Sequence, residues 1–320
     1  MSIYPLKHSL VSVCVPAYNC GLYIADTLRC LCAQSYQNIE IIVVNDGSDD
    51  DTVDRANAIK DSRIRLLDIP NRGAAGARNM AYEHSSGDFI VFFDADDIVG
   101  PDFISTQLQT ALQWPDCIVV SAWGRFYTDT GLDFKLCEEP LSTPHTLEEW
   151  IITNWYNSQH NTPPGRLFLP RSIVEQAGPW NEQLTLNDDF EFFTRVALHA
   201  KMIVPAPSAL YYYRSGVNGL SSQKTDEAYM SLFRSMQLSF EHAITVYGKN
   251  EKVRRSCANL WQAYIYEVYP RLKQQRIFAK QQIKALGGAD FAYPAGGLTR
   301  LLIRLAGWRI IKHLKHHVKK

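Results

Sequence analysis

The first half of the chain has the pattern of an α/β domain with a mostly parallel central sheet. Short apolar segments rich in β-branched residues recur there, and segments with helical spacing of apolar residues stand between them. Strands that alternate with helices form βαβ units, because each helix returns the chain to the same end of the sheet. Polar residues directly follow three of these strands. Since ligands bind outside the carboxyl ends of parallel strands, the pattern also predicts a binding site at that edge.

Five strands and four helices are predicted before residue 124. The strands are short apolar runs that end in polar or turn-forming residues, and they are expected at 10–15, 39–44, 63–67, 89–93 and 117–123. Helices are expected at 24–33, 49–58, 71–87 and 102–112; the first has helical spacing of Ile24, Leu28 and Leu31, and Ser48 or Asp49 could cap the second. Each helix stands between two strands, as crossover connections require.

The second half is less regular. Residues 130–165 are rich in Pro, Thr and Trp without a clean period, which predicts loops and one short helix at 147–154. The elements expected next are a strand-like segment at 166–169, a helix at 171–177 that stops at Gly178, a helix from Phe190, and strand-like segments at 202–204 and 209–213. From 226 to 285 the pattern is helical. One apolar stripe there is typical of core packing, and it consists of Tyr229, Phe233, Met236 and Phe240.

Composition excludes several classes of protein. The chain has 33 Lys or Arg and 33 Asp or Glu, so its formal net charge is zero. This balance argues against a general nucleic-acid binder, which should carry a basic surplus. The seven cysteines lie mostly in apolar segments without zinc-site spacing, which predicts buried thiols in a reducing compartment. No cleavable signal or apolar run of about 18 residues is found, so we expect a cytoplasmic protein without a transmembrane helix.

The predicted strand 89–93 ends in the acidic turn Asp94-Ala95-Asp96-Asp97. Side chains alternate along an extended backbone, so Asp94 and Asp96 are expected on one side and Asp97 on the other. Two close carboxylates repel each other unless a cation lies between them, and hard divalent ions prefer such oxygen ligands. One interpretation is therefore a metal and phosphate site. The other is that these residues form an Asx-turn or cap the next helix.

Polar segments follow the first two strands as well. The first strand is followed by Pro16-Ala17-Tyr18-Asn19, and the second ends in a turn that contains Asp46. Parallel strands present their carboxyl ends at one edge, so these residues are expected to lie beside the acidic turn.

Five motifs stand in the order and spacing of one protein family. They are VCVPAYN at 13–19, IIVVNDGS at 41–48, NRGAAGARN at 71–79, FFDADD at 92–97 and DDFE at 188–191. Together they resemble the family-2 inverting glycosyltransferases of the GT-A fold, such as those of bacterial surface-polysaccharide assembly, over roughly residues 9–222. The resemblance implies a GT-A domain at 1–222, with a nucleotide-binding half at about 9–123 and an acceptor half at about 124–222. A helical C-terminal region at 223–320 would follow it.

The resemblance implies a UDP-sugar donor and assigns roles to the first polar segment. Tyr18 would lie against the base, while Pro16 and Ala17 would offer backbone contacts beside Asn19. Arg78 would lie near the base or the diphosphate. The alternatives are that Tyr18 packs in the interior and that Arg78 pairs with an acid.

The carboxylates have roles of their own in this interpretation. Asp46 suits the imide N–H of uracil, although it could also do no more than shape a turn. Asp96, with Asp94 and Ala95 beside it, would hold Mn²⁺ or Mg²⁺ against the diphosphate and offset the negative charge of the leaving group.

Inversion by a single displacement needs a base for the acceptor hydroxyl. The resemblance assigns this role to the second residue of an acidic pair, which here is Asp189. The family's usual Glu-Asp is Asp188-Asp189 in this chain, and the shorter Asp188 leaves the orienting role of the first carboxylate open. The alternative is that both residues cap the helix that begins at Phe190.

The last 30 residues carry seven Lys or Arg and no acid after Asp290. Apolar residues at helical spacing alternate there with basic ones, which predicts a basic amphipathic helix at 298–320 that lies on an anionic membrane surface. The protein would then work at the cytoplasmic face of the inner membrane on a saccharide or lipid-linked acceptor. The alternative is a helix docked on the protein body with a solvated basic face.

Two other functions are open. A sugar nucleotidyltransferase would place a Gly-rich, Arg-containing loop after the first strand, where this chain has residues 16–19 without glycine or arginine. A catalytically silent member could serve as a binding or assembly subunit of a polysaccharide pathway. Asp94, Asp96 and Asp189 argue against this alternative.

Overall fold

The computed structural model describes residues 9–128, 132–137, 142–159, 162–217, 219 and 223–318, without the side chains of 298–301, 304 and 314–318. The chain divides into two compact units. The first consists of Met1–Leu147 and Asn161–Gln223, and the second of Glu148–His160 and Lys224–Lys320. The short segment 148–160 thus groups with the C-terminal helices.

The first unit contains a nine-stranded sheet. Its strands are β1 (Val11–Ala17), β2 (Ile39–Asp46), β3 (Ile64–Ile69), β4 (Phe89–Phe92), β5 (Ile98–Val99), β6 (Ile118–Phe126), β7 (Lys135–Leu136), β8 (Leu167–Pro170) and β9 (Ile203–Arg214). Their spatial order is β3-β2-β1-β4-β8-β6-β9-β5, and β7 pairs with β6.

The helices that flank this sheet alternate with the strands along the first half of the chain, as predicted. They are α1 (Ile24–Cys32), α2 (Thr52–Asn57), α3 (Gly73–Glu83), α4 (Phe103–Gln113), α6 (Arg171–Ala177) and α7 (Asp188–Ala197). Between α4 and α6 the chain forms α5 (Leu147–Trp150), which continues as a π-helical turn at Ile151–Trp155.

The α/β class is confirmed, and the sheet is mixed. Strands β1 to β4 are mutually parallel, as the alternation predicts. Strand β8 runs antiparallel to both β4 and β6. The two strand-like segments expected at 202–204 and 209–213 are one strand, β9, whose pairing with β6 shifts register after Ser121.

The centre of the sheet explains the uninterrupted apolar runs in the sequence. Strands β1, β2 and β4 are buried on both faces, so every second residue cannot be polar as in a half-exposed strand. All seven cysteines are free thiols, and Cys14, Cys20, Cys117 and Cys257 are buried. In the described part of the chain, no helix combines the length and apolar character needed to cross a bilayer.

The second unit is helical. Besides residues 148–155 it contains α8 (Asp226–Tyr247), α9 (Glu251–Val268), α10 (Lys273–Ala285), α11 (Gly297–Ala306) and α12 (Trp308–Val318). The stripe on α8 packs inside this unit, where the Phe233 ring lies 5.3 Å from those of Trp261 and Phe278. The prediction of a core stripe is therefore confirmed.

Candidate active site

The acidic turn follows β4 at the carboxyl edge of the parallel strands. Phe93 is buried and donates its backbone N–H to the Cys14 carbonyl at 2.8 Å, so the chain stays extended up to Asp94. The turn then closes with a bond of 3.3 Å from the Asp97 amide to the Asp94 carbonyl. Neighbouring strand β1 ends in the polar segment 16–19, which places the two predicted segments at one edge, as expected.

Asp97 anchors this turn from inside the protein. Its carboxylate is fully buried and accepts hydrogen bonds from the Tyr211 hydroxyl and, at 2.6 Å, from the Arg214 backbone N–H. The Thr27 hydroxyl donates to the carbonyls of Ala95 and Asp97, each at 2.9 Å. Burial, followed by the charges of Asp96 and Asp94, raises the pKa of Asp97. These contacts give Asp97 a structural role.

Asp96 has different surroundings from Asp97. The Arg214 guanidinium lies against the Tyr23 and Phe126 rings and donates from Nε to the Asp96 carbonyl at 2.7 Å, which fixes the backbone. Burial and the nearby charge of Asp94 raise the pKa of the Asp96 carboxyl to about 7. Among the residues that the structure describes, none forms an ion pair with this carboxylate. A cation placed there would offset the repulsion between the two acids.

The second acidic pair begins helix α7. Asn187 has a left-handed backbone with φ of 63°, which turns the chain into the helix at Asp188. The Asp188 carboxylate accepts the Asp189 N–H at 3.1 Å, and the Asp189 carboxylate accepts the Phe190 N–H at 2.8 Å. The helix begins at Asp188, two residues before the predicted start at Phe190, so both carboxylates lie within its first turn and the N-cap residue is Asn187. Each carboxylate accepts the amide of the next residue, which differs from the capping alternative. This contact leaves the remaining oxygen lone pairs of Asp189 for other partners.

Asp189 has the acidity that a general base needs. Burial and the adjacent charge of Asp188 raise the pKa of Asp189 to about 7, against the opposing effect of Arg78. A carboxylate that releases its proton near neutral pH can accept one from a hydroxyl group during a reaction and lose it again afterwards.

Arg78 on α3 joins the two acidic pairs. Its Nη2 lies 2.9 Å from Asp94 Oδ1, and its Nη1 lies 2.8 Å from Asp188 Oδ2. The guanidinium is also stacked 4.6 Å from the centre of the Trp180 ring. Burial opposes its charge, but the charges of Asp188 and Asp94 outweigh this effect and raise the pKa of Arg78. Of the two sequence interpretations of Arg78, the contacts match the pairing with acids, while contact with the nucleotide stays a prediction.

Asp46 holds the start of α3. Its two carboxylate oxygens accept the backbone N–H groups of Arg72 at 2.7 Å and Gly73 at 2.9 Å, and the side chain of Asn71 donates to its carbonyl at 2.9 Å. Burial raises the pKa of Asp46, although these two amides act against the rise. The turn-shaping alternative thus matches the contacts, and a bond to uracil stays a prediction.

The segment 16–19 separates into buried and exposed parts. Pro16 and Ala17 belong to β1, and Ala17 is buried. Asn19 has φ of 46°, and its amide N–H donates to the Ser48 hydroxyl at 2.9 Å, which ties the segment to the turn after β2. The Tyr18 ring is 55% exposed, so it does not pack in the interior, and it offers an aromatic surface at the strand edge.

The sequence did not reveal the roles of several residues of the site. Tyr211 and Arg214 support the acidic turn from 114 and 117 residues away, and Glu182 lies 110 residues from its partner Arg72. The run of tyrosines before Arg214 predicted only a strand.

No metal centre made from protein groups alone is present in the described ranges. There, no three His, Cys, Asp or Glu side chains come close enough together to hold a metal ion. A magnesium ion is commonly held by one or two carboxylates and completed by substrate phosphates, so two carboxylates are a sufficient protein contribution for that type of site.

Comparison with known proteins places this geometry in a family. The family model described as "Glycosyl transferase family 2" matches residues 12–172. Glycosyltransferase GlyG of Streptococcus pneumoniae is 32% identical over 64% of this chain and 70% of its own length. The Escherichia coli enzyme named UDP-Glc:alpha-D-GlcNAc-diphosphoundecaprenol beta-1,3-glucosyltransferase WfaP is 47% identical over 31% of this chain and 40% of its own length.

The fold is shared with a solved structure. The crystal structure of S. aureus TarS 1-349 in complex with UDP-GlcNAc superposes with a TM-score of 0.71 and 18% identity, and covers 87% of this chain and 81% of that one. The predicted GT-A fold is confirmed.

Proposed function

This chain belongs to glycosyl transferase family 2, and we propose that it transfers a sugar with inversion from a UDP-sugar to a saccharide or lipid-linked saccharide acceptor. The family resemblance and the glycosyltransferase class are confirmed, and the sugar nucleotidyltransferase alternative loses its support. The observation that carries the proposal is the link from Asp94 through Arg78 to Asp188. It connects an acidic pair at the strand edge with a second pair that includes a carboxyl of near-neutral pKa.

A UDP-sugar donor is supported by two comparisons. TarS has been crystallised with UDP-GlcNAc, and WfaP is named as an enzyme that uses UDP-glucose. In this chain the exposed Tyr18 ring would lie against the uracil, with the backbone of Pro16 and Ala17 and the side chain of Asn19 beside it. Asp46 would contact the base through oxygen lone pairs that the α3 amides leave free.

A divalent ion suits the residues at the acidic turn. Asp94 and Asp96 supply hard oxygen ligands, and Asp96 has a pKa raised to about 7 by burial and by Asp94, which a nearby cation would lower. We infer that these residues, with Ala95 between them, hold Mn²⁺ or Mg²⁺. When bound, such an ion would neutralise the charge of the departing diphosphate.

Asp189 would act as the general base. Its carboxylate takes the proton of the acceptor hydroxyl while that oxygen forms a bond to the anomeric carbon of the sugar. The bond between this carbon and the diphosphate oxygen breaks at the same time, so the nucleoside diphosphate leaves from the opposite face and the configuration inverts. Arg78 pairs with Asp188 next to the proposed base, which supports an orienting role for Asp188.

Asp189→Asn tests this assignment, because the amide keeps the size of the carboxylate but cannot accept the proton. We expect UDP release to fall by about 10²–10⁴-fold, the usual contribution of a general base, while the affinity for UDP persists. Asp116→Asn is the matched control, since Asp116 is exposed and pairs with Lys201 at 2.8 Å outside the site. Wild-type turnover in Asp189→Asn would show that another group takes the proton. Turnover lost only in the Asp189 variant would also remove the catalytically silent alternative.

The acceptor is proposed to be carried on a lipid. The printed name of WfaP includes a diphosphoundecaprenol-linked acceptor. In this chain, Leu302, Leu305 and Ile310 on α11 and α12 are exposed, and no acid follows Asp290. Exposed apolar residues within a purely basic segment match an anionic lipid surface, which would place the protein at the cytoplasmic face of the inner membrane. Residues 319 and 320 of the segment lie outside the described residues.

The docked-helix alternative is also visible on one face of α12. The Trp308 ring contacts Tyr266 at 4.8 Å, and Lys312 donates to the carbonyls at the end of α9. Membrane contact would therefore use the exposed residues of α11 and α12, and packing on the protein uses the face of α12 with Trp308 and Lys312. The variant Leu305→Glu tests the membrane contact. We expect it to weaken sedimentation with vesicles of phosphatidylglycerol, whereas Ile277→Glu, a comparable change at an exposed position of α10, should not. Equal binding of both variants would contradict membrane contact through α11.

A further inference from the structure

One face of α3 contacts the segment that leads into α7. Arg72 and Asn79 are seven residues apart, so they lie on the same face two helical turns from each other. Gly76 lies between them and allows the segment to come close. A Cβ at Gly76 would lie 3.3 Å from Glu182 Oε2 and 2.7 Å from Arg72 Cβ.

The Asn79 side chain both accepts a hydrogen bond from the backbone of Trp180 and donates one to it. Its Oδ1 accepts the Trp180 N–H at 2.8 Å, and its Nδ2 donates to the Trp180 carbonyl at 3.0 Å. The same Nδ2 lies 2.9 Å from Glu182 Oε1. Asn79 is buried, so these bonds are shielded from water and fix the segment in one register.

Glu182 completes a second contact with the same helix. Its two carboxylate oxygens each lie 2.9 Å from Arg72 Nη2. The hydrogen bond from Asn79 and the charge of Arg72 lower the pKa of Glu182, so it is ionised when it makes these contacts. The pair is partly exposed, and its effect is therefore on geometry more than on stability.

Trp180 connects this segment to α7 through ring contacts. Its ring is stacked on Phe192 with centroids 4.0 Å apart, and Phe192 follows Asp189 by less than one helical turn. The ring also contacts the guanidinium of Arg78, which is bonded to Asp188. The start of α3 is in turn held at the strand edge by Asp46. A continuous set of contacts thus runs from the strand edge through α3 to the first turn of α7.

We propose that these contacts form a clamp that holds Asp189 at a fixed position relative to Asp94 and Asp96, and that Asn79 is a positioning residue for glycosyl transfer. The α3 clamp is defined as Arg72, Arg78 and Asn79 together with Trp180 and Glu182. The inference rests on the proposed role of Asp189 and adds Asn79, Trp180 and Glu182, to which no contact with donor or acceptor is assigned. Base and leaving group act in one displacement, so a small shift between them is costly even when each binds normally.

Asn79→Ala is the principal test. We expect kcat for UDP release to fall by about tenfold to a hundredfold, because a misplacement of about 1 Å has an effect of that size. The affinity for UDP in the presence of Mn²⁺, measured by calorimetry, should stay within about threefold of wild type, since Asp46 and Asp96 do not contact Asn79.

Asn259→Ala is a matched control in the second unit. Asn259 is also buried and also bridges backbone groups, accepting from Asp290 N–H at 2.8 Å and donating to the Tyr156 carbonyl at 2.9 Å. It should lower the melting temperature about as much as Asn79→Ala without the loss in kcat for a water-soluble acceptor. An equal loss of kcat in both variants would mean that lost stability alone explains the effect.

A compensating pair makes the test independent of folding losses. Asn79→Asp keeps the acceptor for Trp180 but sets a second carboxylate against Glu182. In combination with Glu182→Gln, the glutamine amide at 182 can donate to the aspartate at 79, so the hydrogen bond between the two positions is restored in the reverse direction. We expect the double variant to recover a measurable part of the kcat lost in Asn79→Asp. No recovery, together with wild-type kcat in Glu182→Gln alone, would overturn the clamp.

The clamp and the proposed base can fail separately. Loss of turnover in Asp189→Asn with wild-type kcat in Asn79→Ala would retain the base and refute the clamp. Full turnover in Asp189→Asn would refute the base and, with it, the positioning role assigned to Asn79. A fall in UDP affinity that matches the fall in kcat of Asn79→Ala would also contradict the proposal, because it would indicate a role in donor binding.

Discussion

Replacing Arg78 by glutamine would remove the cation that the buried Asp188 shares with the partly exposed Asp94. Arg78 and Asp188 have side chains that are 7% and 9% exposed, whereas Arg72 and Glu182 are 45% and 37% exposed. Both arginines bond to carboxylate oxygens at 2.8–2.9 Å, but Arg78 is buried and bonds to two carboxylates, whereas Arg72 is partly exposed and bonds to one. Arg72→Gln is therefore the matched comparison.

The burial of each ion pair determines how much unfolding free energy its loss should cost. Removing one partner of a buried ion pair costs about 3–5 kcal/mol of unfolding free energy, because the remaining charge is left without water or a counterion. An exposed pair contributes about 0–1 kcal/mol. With a change of about 2–4 °C per kcal/mol, Arg78→Gln should lower the melting temperature by about 6–20 °C and Arg72→Gln by no more than about 4 °C.

The loss in Arg78→Gln should also depend on pH. Burial already raises the pKa of Asp188, and Arg78 opposes that rise. Without Arg78 the folded-state pKa of Asp188 lies further above its unfolded value, so the folded protein binds the extra proton more readily. The destabilisation is then largest at high pH and is relieved as the pH falls through that raised pKa.

Thermal unfolding of both variants at pH 5 and pH 8 is the measurement. The expected order is the largest drop for Arg78→Gln at pH 8, a smaller drop for it at pH 5, and little change for Arg72→Gln at either pH. Equal drops for the two arginines would refute the reasoning, because burial would then have no effect on the cost.

Four further outcomes follow from the site. The rate constant kcat should rise with pH through about 7 as Asp189 loses its proton, and a flat profile from pH 5 to 9 would contradict that assignment. Asp96→Ala should abolish the dependence of UDP affinity on Mn²⁺ in calorimetry, and unchanged affinity would refute a metal ligand there. Tyr18→Ala should weaken UDP binding by about 1–3 kcal/mol if its exposed ring stacks on the base, while kcat at saturation changes little. Tyr211→Phe should lower the free energy of unfolding by about 1.5–3 kcal/mol, because the buried Asp97 loses a donor, and a neutral result in denaturant unfolding would contradict the anchoring role.

The sequence predicted the features that depend on local pattern. Alternating strands and helices specified the parallel half of the sheet. Asp97 was expected to face away from Asp94 and Asp96 because an extended backbone alternates, but the three acids lie in a turn after β4. A helix start beside Asp188 and Asp189 was also predicted, although the helix begins at Asp188 and not at Phe190. The strands, the helices and this helix start depend mainly on interactions between residues that are close together in the sequence.

Features that depend on residues far apart in the chain could not be predicted from the sequence. Arg78 is 16 residues from Asp94 and 110 from Asp188, so its motif could not show that it joins them. Asp46 was expected to face a ligand, and the structure adds two backbone amides whose position depends on how α3 meets β2. The antiparallel direction of strand β8 could not be predicted either, because the middle segment that precedes it has no clean period.

The position of α3 has a consequence for engineering acceptor specificity. A chimaera with a single junction would join the donor-binding front half of one enzyme to the back half of another. In this chain a junction near residue 123 would separate Asn79 from Trp180 and Arg78 from Asp188, although each pair is in direct contact. A graft that carries residues 72–79 together with 180–192 keeps both sides of that interface from one parent. The unit of exchange is therefore two discontinuous segments, and libraries built on it should retain turnover more often than libraries with a single crossover.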